Sequence, residues 1–200
     1  MNLTISSDDR KKLKAVLAEF NQPKGDGQIF YNMCFCLCTP QTTFKKNKIV
    51  IARLIANNFY SSSIKHEELS EMVREVRFRN NKAQWLLEAK ERFSEILEIV
   101  RNKELSTVEK RRWLVKNING FGMKTASHFL RNLGHTDLAI IDTHIIKFMG
   151  VTSYPITQRV YEQIEEDFKK VAKTIGLTSA ELDSYVWKTY SGTPWTEFDW

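Results

Sequence analysis

The stretch Val108–Met149, VEKRRWLVKNINGFGMKTASHFLRNLGHTDLAIIDTHIIKFM, decides how the rest of the chain is read. Its centre, Ile118-Asn119-Gly120-Phe121-Gly122-Met123-Lys124, is too short for a wandering loop. Gly120 and Gly122 permit the positive φ angles that a tight turn requires. Ahead of them, Ser106-Thr107-Val108-Glu109 reads as a capping box that opens a helix. Behind them, Ala126, Phe129, Leu130 and Leu133 share one helical face, and Gly134 ends that helix. The pattern predicts helix, hairpin, helix, with the motif spanning approximately 107–134. The amides around Gly120 and Gly122, at the start of the second helix, can point at a phosphate. Lys124 stands at the mouth of the same helix. Asp142 follows in Ala139-Ile140-Ile141-Asp142-Thr143-His144, after an apolar lead-in and before a new amphipathic stretch (Ile145, Ile146, Met149). That context puts Asp142 at or near a helix N-terminus. A lysine amine and an aspartate carried on two neighbouring elements could share one pocket.

Around this stretch the composition is that of an ordinary globular protein. The chain has 200 residues, 42% hydrophobic and 27% charged, enough for one or two units with a real core. No apolar run approaches the roughly 18 residues needed to span a membrane, and the polar N-terminus lacks a signal-peptide pattern. An intracellular protein is expected. The net charge is +6, and residues 74–124 alone hold thirteen Lys/Arg against seven Asp/Glu. The excess is therefore local and lies beside the hairpin, which favours a polyanion partner over a merely solvated face. Three cysteines, Cys34, Cys36 and Cys38, fit no zinc spacing and fall short of the four thiolates that usually hold an iron–sulfur cluster. They read as small core residues, and neither metal nor cofactor is expected.

Taken in order, the chain reads as helices throughout. Apolar periodicity predicts them over 7–20, 28–38, 44–59, 66–76, 83–100, the two of the hairpin, 158–175 and 179–190. Thr39-Pro40 breaks the second, because proline disfavours α geometry in the residue before it. Arg77 to Lys82 reads as irregular and very basic, with Phe78 inside it. No stretch shows strand alternation and no internal repeat is present. The expected fold is all-α, one unit over 1–200. The helices at the two chain ends (about 1–60 and 151–200) are expected to form a second subdomain, with a cleft between the two.

Two further stretches join the hairpin, Lys124 and Asp142: Phe35-Cys36-Leu37-Cys38-Thr39-Pro40-Gln41-Thr42 and Val76-Arg77-Phe78-Arg79-Asn80-Asn81-Lys82-Ala83. Together they make the chain resemble the helix-hairpin-helix base-excision DNA glycosylases. The hairpin lysine marks the bifunctional glycosylase/AP lyase branch. The short chain resembles the type-2 8-oxoguanine DNA glycosylases of archaea and some bacteria. The resemblance covers most of the chain. It implies damaged double-stranded DNA as partner, no membrane, and a monomer in the cytoplasm or nucleoid of a prokaryote. By the same resemblance Gln41 belongs to the turn that fills the gap left by an extruded base. His144 matches a position that touches the DNA backbone.

The chemistry accounts for the residue types. A stacked base must be extruded before its glycosidic bond can be attacked, at a cost of a few kcal/mol. The hairpin amides of Gly120 and Gly122 would grip phosphate, with Arg77, Arg79, Lys82, Arg111, Arg112 and Lys116 supplying charge. Cleavage builds positive charge on the sugar, which the Asp142 carboxylate would stabilise. Lys124 would be the nucleophile that forms a Schiff base at C1′, and it must be neutral to attack; burial favours that form and a neighbouring carboxylate opposes it. Taken singly, a lysine at a hairpin is a plain phosphate contact and an aspartate before a helix is an N-cap.

Base recognition leaves more open. Trp187 offers a stacking surface, and Asp183, one helical turn earlier, can face the same pocket. Phe78 can be a wedge, a wall of the base pocket, or a core anchor. Trp200 occupies the C-terminal position that the family type places in the base pocket, where lysine stands in archaeal examples. Its carboxylate could accept the N7 hydrogen of 8-oxoguanine, or the tail could simply dock on the core. A glycosylase for another oxidised base and a non-catalytic hairpin DNA-binding module are the competing readings.

Overall fold

Eleven α-helices, and no strand, form the regular structure of the described residues, which are 5–152 and 156–192 of the computed structural model. The all-α expectation holds for them. In chain order the helices are α1 (Ser7–Phe20), α2 (Asp26–Cys38), α3 (Phe44–Ala56), α4 (His66–Met72), α5 (Arg79–Glu91) and α6 (Phe93–Arg101). They are followed by α7 (Thr107–Asn117), α8 (Met123–Asn132), α9 (Thr143–Phe148), α10 (Gln158–Thr174) and α11 (Ser179–Ser191). Trp200 lies outside the described residues. No helix among them is long and apolar enough to cross a membrane.

The chain divides into two compact units: residues 1–22 with 130–200, and residues 23–129. The division falls within α8, after Phe129. By their contacts, residues 23–60 group with the central helices rather than with the chain ends, because α2 packs on α3 and α5.

In the 23–129 unit, α2 is the central helix. Every residue from Met33 to Cys38 is buried. Phe30 gathers the rings of Phe59, Tyr60 and Phe93 at centroid distances of 5.5, 5.0 and 5.0 Å. Each such side chain removed from water contributes about 1.5–3 kcal/mol. The three cysteines are free and fully buried. Burial pushes the Cys34 thiol well up and that of Cys38 up to about 12, so both are inert core groups.

In the other unit, Leu17 and Phe20 of α1 pack with Ala180 of α11, and Phe148 of α9 meets Phe168 of α10 edge-on at 6.1 Å. Side-chain caps open α1 (Ser6), α10 (Thr157) and α11 (Thr178, with Glu181 completing a capping box), each worth about 1 kcal/mol.

Several boundaries differ from the periodicity: α2 starts at Asp26, α3 ends at Ala56 and α4 ends at Met72, and two further differences change an element. The helix expected over 83–100 is broken at Arg92 (φ −96°, ψ 13°) into α5 and α6. The Arg92 guanidinium there reaches Glu95 and the carbonyl of Asn117, at the end of α7. The stretch 79–82, expected to be irregular, is the first turn of α5, which starts from Phe78 in a left-handed conformation (φ 59°). A cluster of basic side chains hid the fact that the backbone there is already helical.

Candidate active site

The hairpin forms where the glycines place it. Ser106 and Glu109 exchange the reciprocal capping bonds that open α7: Ser106 N–H to Glu109 Oε2 at 2.8 Å, and Glu109 N–H to Ser106 Oγ at 3.3 Å. After Asn117 the chain turns through Ile118–Gly122, with Phe121 N–H donating to Ile118 O at 3.2 Å. Gly120 has φ +86°, and a Cβ there would lie 2.7 Å from the Trp85 ring and 2.9 Å from Leu37 Cδ2. Both conformation and space therefore demand glycine at 120.

Gly122 is different. It has no positive φ, and a Cβ built on it meets nothing within 4 Å. The expectation that both glycines serve the turn is corrected: only Gly120 does. Gly122 accepts Ala126 N–H at 2.9 Å and so begins α8, where the first-turn N–H groups have no intrahelical acceptor.

Lys124 is the second residue of α8 and is exposed. Its neighbours Phe121, Met123 and Thr125 are buried, so the backbone beneath the lysine is fixed while the amine is presented outward. The dry surrounding expected for the amine is not supplied by its own unit. The Phe121 and Phe129 rings pack at 5.6 Å, and Arg111 Nη1 donates to Ser127 Oγ at 3.1 Å. Arg111 is only 1% exposed. It joins α7 to α8 from inside and is not a phosphate contact, whereas Arg112 and Lys116 on the outer face are exposed.

Asp142 is the N-cap of α9 (φ −111°, ψ −174°) and half-buried. Its Oδ1 accepts both capping bonds, from His144 N–H at 2.8 Å and Ile145 N–H at 3.0 Å. The cap thus uses one oxygen, and Oδ2 makes no hydrogen bond among the described residues. The buried lead-in Leu138–Ile141 is held by side chains of α10 and α11. Ala139 N–H donates to Glu165 Oε1 at 3.1 Å, Ile140 N–H to Asp183 Oδ2 at 3.4 Å, and Ile141 N–H to Tyr161 Oη at 3.0 Å. Tyr161 Oη in turn donates to Ala139 O at 2.9 Å. Three successive amides without sheet or helix partners thereby find acceptors inside the fold, as buried amides must.

This overturns the expectation for Asp183. It is 2% exposed, and its carboxylate serves Ile140 N–H with Arg131 Nη1 3.5 Å away; it fixes the backbone before Asp142 and does not line an open base pocket. Sequence reasoning missed Glu165 and the second use of Tyr161. Both fall on the apolar face of α10, four residues apart, and a glutamate in that register was the available signal.

The other expected residues divide by exposure. Lys82 is corrected: it is 1% exposed, and its ammonium donates to Cys38 O and Pro40 O at 2.7 Å each and to Thr42 Oγ1 at 3.1 Å. An ammonium so enclosed is not a DNA-backbone contact. Arg77 is exposed, with its guanidinium 4.8 Å from the Phe78 ring. Arg79 is exposed and pairs with Glu71 at 2.8 Å, a surface pair of small worth. Phe78 is 54% exposed, which removes the core-anchor reading. Gln41 is exposed and left-handed (φ 56°). His144 and Trp187 are half-buried on α9 and α11; the His144 ring lies 6.5 Å from that of Tyr190.

Comparison with known proteins places the chain in a family. The family model described as 8-oxoguanine DNA glycosylase matches residues 13–177. An 8-oxoguanine DNA glycosylase/AP lyase of Methanocaldococcus jannaschii is 34% identical over 177 residues, covering 84% of this chain and 83% of that protein. One of Fusobacterium nucleatum is 34% identical over 202 residues, covering 94% and 91%. The crystal structure of the Methanocaldococcus jannaschii 8-oxoguanine glycosylase/lyase in complex with a 15mer DNA containing 8-oxoguanine superposes with a TM-score of 0.83 at 29% identity, covering 92% of this chain and 91% of that one. By sequence and by fold, this chain belongs to the 8-oxoguanine DNA glycosylase family.

Proposed function

We infer that the protein is a bifunctional DNA glycosylase/AP lyase that excises 8-oxoguanine from damaged double-stranded DNA. The observation that carries the reading is that the family match spans both Lys124 and Asp142; Lys124 stands on a helix start with buried neighbours, and Asp142 is a capping carboxylate with one oxygen to spare. With the lesion base swung out, the Lys124 nitrogen bonds to C1′ as the bond from C1′ to the base breaks, and the base leaves with the electron pair. Asp142 Oδ2 offsets the positive charge that develops on the sugar in that step. The product of that displacement is an amine on C1′ with the sugar ring still closed; the nitrogen loses a proton and the C1′–O4′ bond breaks as O4′ takes one up, which opens the ring to a protonated Schiff base. The Schiff base acidifies the C2′ proton; its loss breaks the C3′–O bond, the phosphate leaves with the electron pair, and the strand is cut. Water is excluded from the amine by the bound nucleotide, since its own unit leaves it exposed.

The grip on DNA is assigned to the α8 N-terminus at Gly122, where open space in place of a Cβ lets a phosphate approach the amides, and to Arg77, Arg79, Arg112 and Lys116. Gln41 is assigned to the gap left by the base, Phe78 to the stack beside it, and Trp187 to the face of the extruded purine. On this reading the protein acts on chromosomal DNA within the cell, as a monomer.

Borohydride trapping tests the reading. A covalent adduct with duplex DNA containing 8-oxoguanine is expected, and Lys124→Gln is expected to abolish it while still binding the duplex. Tight binding with no adduct from the parent protein would leave a DNA-binding module instead.

A further inference from the structure

Lys82 is a buried cation that the chemistry above does not use. Its three ammonium donors meet three acceptors: the carbonyls of Cys38 and Pro40 and the hydroxyl of Thr42. Cys38 O belongs to the last turn of α2, where a cation is favoured by the helix dipole. The other two acceptors belong to a tight turn that Thr42 N–H closes on Thr39 O at 3.0 Å. Pro40 and Gln41 are its two central residues, and Gln41 has φ 56°. A positive φ in the residue after a turn proline suits glycine or asparagine; glutamine holds it only under constraint.

The constraint comes from two sides. Lys82 reaches in from α5, and buried Asn47 of α3 donates to Thr39 Oγ1 and Phe35 O at 2.9 Å each. Burial also lowers the pKa of the Lys82 amine. The backbone N–H of the same lysine donates to Phe78 O at 3.0 Å, and Phe78 is the other exposed left-handed residue assigned to the duplex. The same lysine thus joins the two segments: its ammonium binds the 39–42 turn, and its main chain makes the first helical bond of α5, back to Phe78.

We propose that Lys82 is a positioning residue that locks the 39–42 turn so that Gln41 enters the duplex in a single, ready-made conformation. The proposal rests on the gap-filling reading of Gln41. A side chain that replaces a base in the stack must not lose its advantage to the ordering of its own loop, and the buried ammonium does that ordering in advance. Lys82→Met keeps the stem and removes the three hydrogen bonds.

The test is a double-mutant cycle on single-turnover excision of 8-oxoguanine from duplex DNA. It uses the parent protein, Gln41→Ala, Lys82→Met and the double variant. Active sites are counted by borohydride trapping on a single-stranded abasic oligonucleotide. Lys82→Met is expected to slow duplex excision at least tenfold per active site and to add no further loss in the Gln41→Ala background. Excision by Lys82→Met at the parent rate, losses that multiply, or equal slowing of trapping on the single strand would each overturn the clamp and leave Gln41 untouched. A parent rate in Gln41→Ala alone would overturn the gap-filling reading, and the clamp with it. Should Lys82→Met fail to fold, Thr42→Val, which removes one of the three acceptors, replaces it in the cycle. A loss of about threefold that vanishes beside Gln41→Ala is then the expected result, and a loss that persists there overturns the proposal.

Discussion

Asp142 shows how one side chain can hold two roles without conflict. Both capping bonds fall on Oδ1, so the structural role and the proposed chemical role use different oxygens. Asparagine is as good an N-cap as aspartate, and its carbonyl oxygen can accept the same two bonds. Asp142→Asn is therefore expected to melt within about 1 kcal/mol of the parent, while excision in a single turnover falls by roughly 10²–10³, the usual loss when one stabilising group is removed from a developing charge. Thermal melts and quenched-flow excision on the same preparation check the two halves. A large drop in melting temperature would mean that the cap needs the charge, and an unchanged rate would remove Asp142 from the chemistry.

At the scale of elements, α7, the turn and α8 divide their residues between seat and surface. Gly120 lies against Trp85 and Leu37, and Arg111 ties α7 to α8 at Ser127; Gly122, Lys124, Arg112 and Lys116 face outward. The two glycines should answer a methyl group in opposite ways. Gly120→Ala meets a ring carbon at 2.7 Å in a left-handed backbone, so a loss of more than ~1 kcal/mol of stability is expected by urea denaturation. Gly122→Ala meets nothing and should fold with parental stability, yet weaken duplex binding several-fold, because its Cβ stands in the way of a phosphate at the helix N-terminus. Duplex affinity of Gly122→Ala equal to that of the parent would remove the hairpin grip. The segment 138–141 makes the same point for the other unit: it is apolar and reads as core, but its use is to carry Asp142, and the groups that hold it come from α10 and α11.

Across the whole molecule, the charge excess of +6 is concentrated in residues 74–124. Not all of that charge is available. Lys82, Lys110 and Arg111 are buried. Duplex binding should still fall by an order of magnitude or more between about 50 and 200 mM salt. Arg112→Gln should lower the slope of log K against log[salt] by about one, and Arg111→Gln should lower stability with no change of slope. Fluorescence anisotropy with a labelled duplex reads both, and a slope that moves for Arg111 but not for Arg112 would reverse the assignment of the two faces of α7.

Local order was legible in the sequence because it depends on near neighbours along the chain. The capping box at Ser106, the turn at Gly120, the end of α8 at Gly134 and the cap at Asp142 each involve partners within a few residues. The helix-hairpin-helix pattern with its lysine and aspartate could therefore be read directly. What only the tertiary structure decided is which charged side chains point inward. Lys82 finds its acceptors some forty positions away, Arg111 finds Ser127, and Asp183 and Glu165 find the amides before Asp142. A buried charge is stable only where acceptors or counter-charges converge on it, and that convergence comes from packing between helices, which no local pattern of residues records.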